Sequence, residues 1–213
     1  MWQNKYVASF AIVIVELVII CLLVPCSVIE KAINQEYEMS VRFIGQESTD
    51  HVYDRAKSDY EELIISSGLY EAVVRHLIPT EEEKRASVGM EQLGTKDGWF
   101  SLVQSRINAA TTVIYQILIR FESVWLWLPY VGCFVLLPSV ICGYWQRRIK
   151  QTNFDFSSPL ATNMTVKFMV YSFLVGMMLV VVPMPINPLF VPLYMILLCI
   201  LIGRAVANIQ KRL

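Results

Sequence analysis

Four stretches of this chain are almost free of charge, and polar sequence lies between them. The clearest runs from Trp125 to Trp145, 21 residues without a charged side chain. At ~1.5 Å per residue it reaches ~31 Å, the thickness of a bilayer's hydrocarbon core. Trp125, Trp127 and Tyr130 at one end and Tyr144 and Trp145 at the other form the aromatic girdles of a crossing helix. Arg147, Arg148 and Lys150 follow at once, and short loops rich in Lys and Arg stay cytoplasmic. This span therefore runs from outside to inside.

The other spans follow from that orientation. Tyr6 to Val28 is the first, preceded by Lys5, so its amino end is expected inside as an uncleaved signal anchor. Val166 to Val182 runs outward, with Lys167 free to snorkel at its inner end. Pro183, Pro185 and Pro188 then force a tight outer turn around Asn187. Leu189 to Val206 returns inward, with Arg204, Lys211 and Arg212 marking a cytoplasmic tail. The expected fold is all-α, a polytopic membrane protein of four transmembrane helices with both termini inside. The segments are 1–28, 29–123, 124–145, 146–165, 166–182, 183–188, 189–206 and 207–213, of which 29–123 is a small helical periplasmic domain.

Within that outer segment the apolar spacing changes to the three-four rhythm of amphipathic helices. Ile33, Tyr37, Val41 and Ile44 share a face from Glu30 to the stop at Gly45. Ser48 or Thr49 can cap a second helix ending near Gly68, and Leu69 to Ile78 stops before Pro79. Thr80 to Gly98 reads as a loop in which Glu81, Glu82 and Glu83 are a solvated run. From Trp99 to Ser123 a longer helix carries Val103, Ile107, Ala110, Ile114, Leu118 and Phe121 on one face. It is expected to continue into the Trp125 span and to bend at Pro129.

Composition adds compartments to this pattern. The chain is 55% hydrophobic with a mean hydropathy of +0.50. Its zero net charge averages −6 between Ile29 and Ser123 with +6 elsewhere. An acidic outer domain argues against direct nucleic-acid binding there. The five cysteines lie in or beside apolar blocks, so the outer segment has no disulfide framework.

Candidate chemistry is sparse. No phosphate loop, dinucleotide fingerprint, nucleophile elbow or zinc motif occurs, and no cofactor or metal is implied. His51 beside Asp50, one turn from Asp54, lacks an evident nucleophile and reads as a surface histidine. The chain is expected not to be an enzyme. Glu16 interrupts the first span near mid-depth, where an ionisable residue must face protein or water. It is a candidate partner contact, and a small transporter or proton conduit centred on it is the rival function. Helix packing has its own signal in Ser139 with Gly143, Ser172 with Gly176, and Gly203 with Ala207. Each small-xxx-small pair lets backbones approach, within one chain or between subunits of a homo-oligomer.

The order of these features resembles the integral membrane proteins of conjugative transfer encoded in integrative conjugative elements and conjugative plasmids. The resemblance rests on Leu126 to Pro129, Leu137-Pro138, Arg147-Arg148-Ile149-Lys150, Phe156-Ser157-Ser158, Pro185-Ile186-Asn187-Pro188 and Lys211-Arg212-Leu213. It covers most of the chain from Ile107 onward. It implies a bacterial inner-membrane accessory of a type IV secretion apparatus, acting beside the coupling ATPase. Glu16, Arg147, Arg148 and Lys150 would then meet lipid, that ATPase or other membrane subunits.

Overall fold

The computed structural model describes residues 3–77, 96–153 and 159–208. These residues are helical throughout apart from short turns, and no strand occurs among them. Helix α1 spans Gln3–Leu23 and α2 Cys26–Ile44. α1 stops earlier than the 6–28 span read from the sequence. Pro25 has no N–H, and its ring disfavours helical geometry at the residue before it. Its own ψ of 147° is extended, and the axes of Ala11–Leu23 and Cys26–Ile44 differ by 111°.

Gly45, at φ 94°, ends α2 and starts α3 (Gln46–Tyr60). Gly68, at φ 70°, precedes α4 (Leu69–Leu77). Both take a left-handed conformation that a side chain would strain. The expected cap at Ser48 or Thr49 is displaced, because α3 already begins at Gln46. The Thr49 hydroxyl instead donates to the Gly45 carbonyl at 2.8 Å, inside the first turn. A wide π-type segment, Glu61–Ser66, extends α3 toward Gly68. The Glu81–Glu83 run and most of the expected loop lie outside the described residues.

Helix α5 runs from Lys96 to Val131, so its start replaces the end of the expected loop. It continues through Pro129 into the Trp125 span, as expected. The irregularity falls at the π-type turn Gly132–Leu136, after which α6 spans Leu137–Thr152. Here the Leu137 N–H reaches the Gly132 carbonyl, five residues back. This loosens the carbonyl ladder just ahead of Pro138, whose ring would otherwise strike the Phe134 carbonyl. α7 (Pro159–Val181) and α8 (Phe190–Asn208) are the last helices among the described residues. Leu102–Lys150, Asn163–Val181 and Phe190–Asn208 are long and apolar enough to cross a membrane, and the α1–α2 pair makes a fourth if counted as one broken span.

The chain divides into two compact units. The first holds residues 1–122 together with Val181–Pro185, and the second the remainder. The core of the first gathers Ile20 from α1, Ile29 and Ile33 from α2, Ala56 from α3, and Ala109, Val113 and Ile119 from α5. The face of α5 suggested by its apolar spacing is met in part, with Ile107 buried and Leu118 packed against the core. Phe121 is 63% exposed, whereas Gln116 and Arg120 are buried. Apolar residues surround this helix, so spacing alone does not choose its inward face. The second unit is formed by the end of α5 with α6, α7 and α8.

Candidate functional site

In the first unit the strongest polar arrangement centres on Arg120, 7% exposed, facing Glu36, 5% exposed. The Arg120 Nε and Nη2 donate to Glu36 Oε1 at 3.2 and 2.5 Å. Nη1 donates to the Val182 carbonyl at 2.7 Å and Nη2 also to that of Met184 at 2.6 Å. Those carbonyls are available because α7 has ended at Val181 and Pro183 and Pro185 bring no N–H to continue it. A guanidinium fork of five donors fits one carboxylate and two carbonyls at once. A buried ion pair is costly to desolvate unless its remaining donors are satisfied, as they are here.

Sequence reasoning missed this clamp. Glu36 and Arg120 are 84 residues apart, and neither alone reads as a site. The available signal was an arginine closing the uncharged run from Ile107 to Ile119, since a cation amid apolar sequence must be paired if buried.

The first unit holds other polar groups. Thr112, Gln116 and Arg120 recur every fourth residue on α5, the spacing of one helical stripe. The Thr112 hydroxyl lies 3.3 Å from Cys26 Sγ, while Arg106 donates to the Val24 carbonyl, also at 3.3 Å, at the α1–α2 break. Gln116 is wholly buried with neither amide atom hydrogen-bonded. Tyr53 contacts the Ile33 carbonyl at 3.5 Å and packs edge-on to Tyr37, whose hydroxyl donates to Asp50 at 2.8 Å. Burial, reinforced by the Glu36 charge, pushes the Tyr53 phenol well above its usual range. His51 and Asp54 are both exposed on α3. Glu16 is half-buried on α1, with one carboxyl oxygen buried and unpartnered.

The second unit is held differently. Ser139 donates to the Cys199 carbonyl at 2.8 Å. A Cβ placed on Gly203 would collide with Ser139 Oγ and lie 2.7 Å from the Ser139 carbonyl oxygen. A Cβ on Gly143 would strike the Gly203 carbonyl, and Ala207 is buried one turn farther along α8. Ser139, Gly143, Gly203 and Ala207 thus belong to one close seam of α6 and α8. Ser172 and Gly176 meet α8 at another point. The Tyr194 hydroxyl donates to the Ser172 carbonyl at 2.7 Å, and a Cβ on Gly176 would lie 2.6 Å from Tyr194 Cζ.

The basic residues do not form a uniform patch. Lys150 donates to Asn208 Oδ1 at 2.9 Å, Arg148 is exposed, and Arg147 is half-buried with its Nε buried and unpartnered.

A helical protein with a buried ionic clamp and three or four helices suited to a membrane is the class these features define. Residues 27–213 match the DtrJ-like family, described as IncC plasmid conjugative DNA transfer protein DtrJ-like, and the chain belongs to that family. The match starts at Ser27, so α1 and Glu16 precede it. No curated protein and no solved structure matches the chain.

Proposed function

We propose that this chain is a non-catalytic accessory subunit of the conjugative DNA-transfer machinery, set in the bacterial inner membrane. In this reading both termini are cytoplasmic, and the helices between α1 and the Trp125 span lie in the periplasm. Its spans pack against those of the coupling ATPase of the type IV secretion system or of neighbouring membrane subunits.

The family match over residues 27–213 carries the reading. The apolar windows support it, being only 6%, 6% and 22% buried within the chain, so lipid or other spans must cover the rest. Glu16 supplies a polar contact for such a partner, since a carboxyl oxygen without a hydrogen bond is costly in an apolar setting.

Affinity purification of the tagged protein from its native host in gentle detergent, followed by mass spectrometry, tests the proposal. Stoichiometric recovery of a coupling ATPase or other secretion subunits is expected. Recovery of this chain alone would overturn it. The buried, unpartnered oxygen of Glu16 also motivates a second reading, a proton conduit. That alternative requires proton flux in proteoliposomes that disappears in Glu16→Gln.

A further inference from the structure

The geometry points to a binding site for the phosphate of an anionic phospholipid at the carboxyl-terminal ends of α6 and α8, centred on Arg147. This rests on the membrane orientation proposed above, which places those ends at the cytoplasmic face.

Arg147 lies one helical turn beyond Gly143, on the side of α6 that meets α8 through Gly143 against Gly203 and Lys150 against Asn208. Its Nε is buried and makes no hydrogen bond. The second unit offers little to neutralise it, with seven Lys and Arg side chains against Asp155 alone. A half-buried guanidinium with an unused donor is costly until an acceptor arrives, and its fork fits a phosphate's paired oxygens.

The surrounding surface selects a lipid rather than an acidic peptide. On α6, the exposed Ile141 and Trp145 lead at helical spacing to the exposed Arg148. On α8, the exposed Leu197 and Ile200 lead likewise to Arg204. Each helix thus presents an apolar track that ends in a cation, and from Ile141 to Arg148 the track is ~10 Å long. Acyl chains cover the tracks while the phosphate sits among Arg147, Arg148 and Arg204. Trp145 marks the interfacial level at which such headgroups lie. An acidic peptide would use the charges but leave both tracks bare.

The full chain, purified in mild non-ionic detergent and mixed with equimolar phosphatidylglycerol and phosphatidylcholine, is examined by native mass spectrometry. Wild type is expected to retain phosphatidylglycerol about tenfold over phosphatidylcholine. Arg147→Gln should cut that preference about fivefold, the scale of one Lys or Arg beside an anionic surface. Arg147→Lys should recover part of it. If Arg147→Gln does not fold, the exposed pair Arg148→Gln and Arg204→Gln carries the same test.

Equal retention of the two lipids overturns the site, as does an unchanged preference in a folded Arg147→Gln. Displacement of the lipid by inorganic phosphate alone, or preferential capture of polyglutamate, also overturns it. Lipid preference without recovery of secretion subunits from the host would leave this site standing and remove the assembly reading. Recovery of those subunits with equal lipid retention would do the reverse.

Discussion

The two units answer the same packing problem with opposite chemistry. In the first, a charge is buried and its partners are assembled around it: Arg120 with Glu36 and the Val182 and Met184 carbonyls. In the second, no whole polar side chain is buried among the described residues, and glycines bring backbones so close that an added Cβ would collide. Side chains specify the first by matching donors to acceptors. Absent side chains specify the second by admitting a neighbour. Losing a group should therefore damage the first unit, and gaining one should damage the second.

The largest expected effect is on the clamp. Arg120→Met takes the cation from the buried Glu36 carboxylate and should cost about 3–5 kcal/mol, and Glu36→Ala, which takes the carboxylate from buried Arg120, should cost a similar amount. Joint replacement, Glu36→Leu with Arg120→Met, should recover a large part of that loss, because no buried charge remains. Thermal unfolding of the four proteins in one detergent checks this. Additive losses in the double variant would show that the pair does not act as a unit.

Glycine replacement in the second unit should come next. Gly203→Leu and Gly143→Leu each force α6 and α8 apart at a contact with no spare room, at about 1–3 kcal/mol or more. Gly45 and Gly68 have open space around them, so Gly→Ala there meets no neighbour and costs only the strain of positive φ. Unfolding midpoints for the four substitutions would separate the two causes. Equal losses at Gly203 and Gly45 would contradict the close-approach account.

This contrast also explains what could be read from the sequence. Gly45 as a helix stop and the small-residue pairs were legible because each is local: a conformation only glycine takes easily, or a spacing set by 3.6 residues per turn. The clamp was not legible, because Glu36 and Arg120 acquire meaning only when α2 and α5 meet. The inward face of α5 was legible in part: Ile107 and Leu118 do meet the core, but Phe121 on the same stripe is exposed while Val113 and Ile119 are buried. Thr49 misled in a simpler way. Its hydroxyl suits a cap, but Gly45 had already ended the preceding helix and started the next. Pro25 carried a readable break, yet the apolar run through Val28 suggested one uninterrupted span. Glu16 was read as a partner contact from its position alone, and the half-buried carboxyl leaves that reading a proposal.

A third prediction bears on the first unit alone. The Tyr53 phenol is raised by burial and by the Glu36 charge, so its neutral form is favoured in the folded state. A raised folded-state pKa gives stability that is complete below the unfolded value, about 10 for tyrosine, and is lost as pH rises past it. Wild type should therefore lose up to about 1.4 kcal/mol per pH unit above that point relative to Tyr53→Phe, which cannot ionise. Denaturant unfolding on both sides of pH ~10 reads the difference. Parallel pH curves for the two proteins would show that the phenol is not held neutral.

The smallest effect asks which part of the α6–α8 seam matters. Ser139 contributes a hydrogen bond to the Cys199 carbonyl and a small volume beside Gly203. Ser139→Ala removes only the bond, and hydrogen bonds between helices in lipid average about 0.6 kcal/mol. Tyr194→Phe removes the comparable bond to the Ser172 carbonyl while leaving the ring against Gly176. Both should lower the unfolding midpoint slightly and by similar amounts. Ser139→Val adds bulk facing Gly203 and should cost more than either. If Ser139→Ala proved as damaging as Ser139→Val, the seam would depend on its hydrogen bond, and the opposition between the two units would narrow. If Ala were nearly neutral and Val severe, close approach rather than the Ser139 hydrogen bond would hold the seam at Gly203.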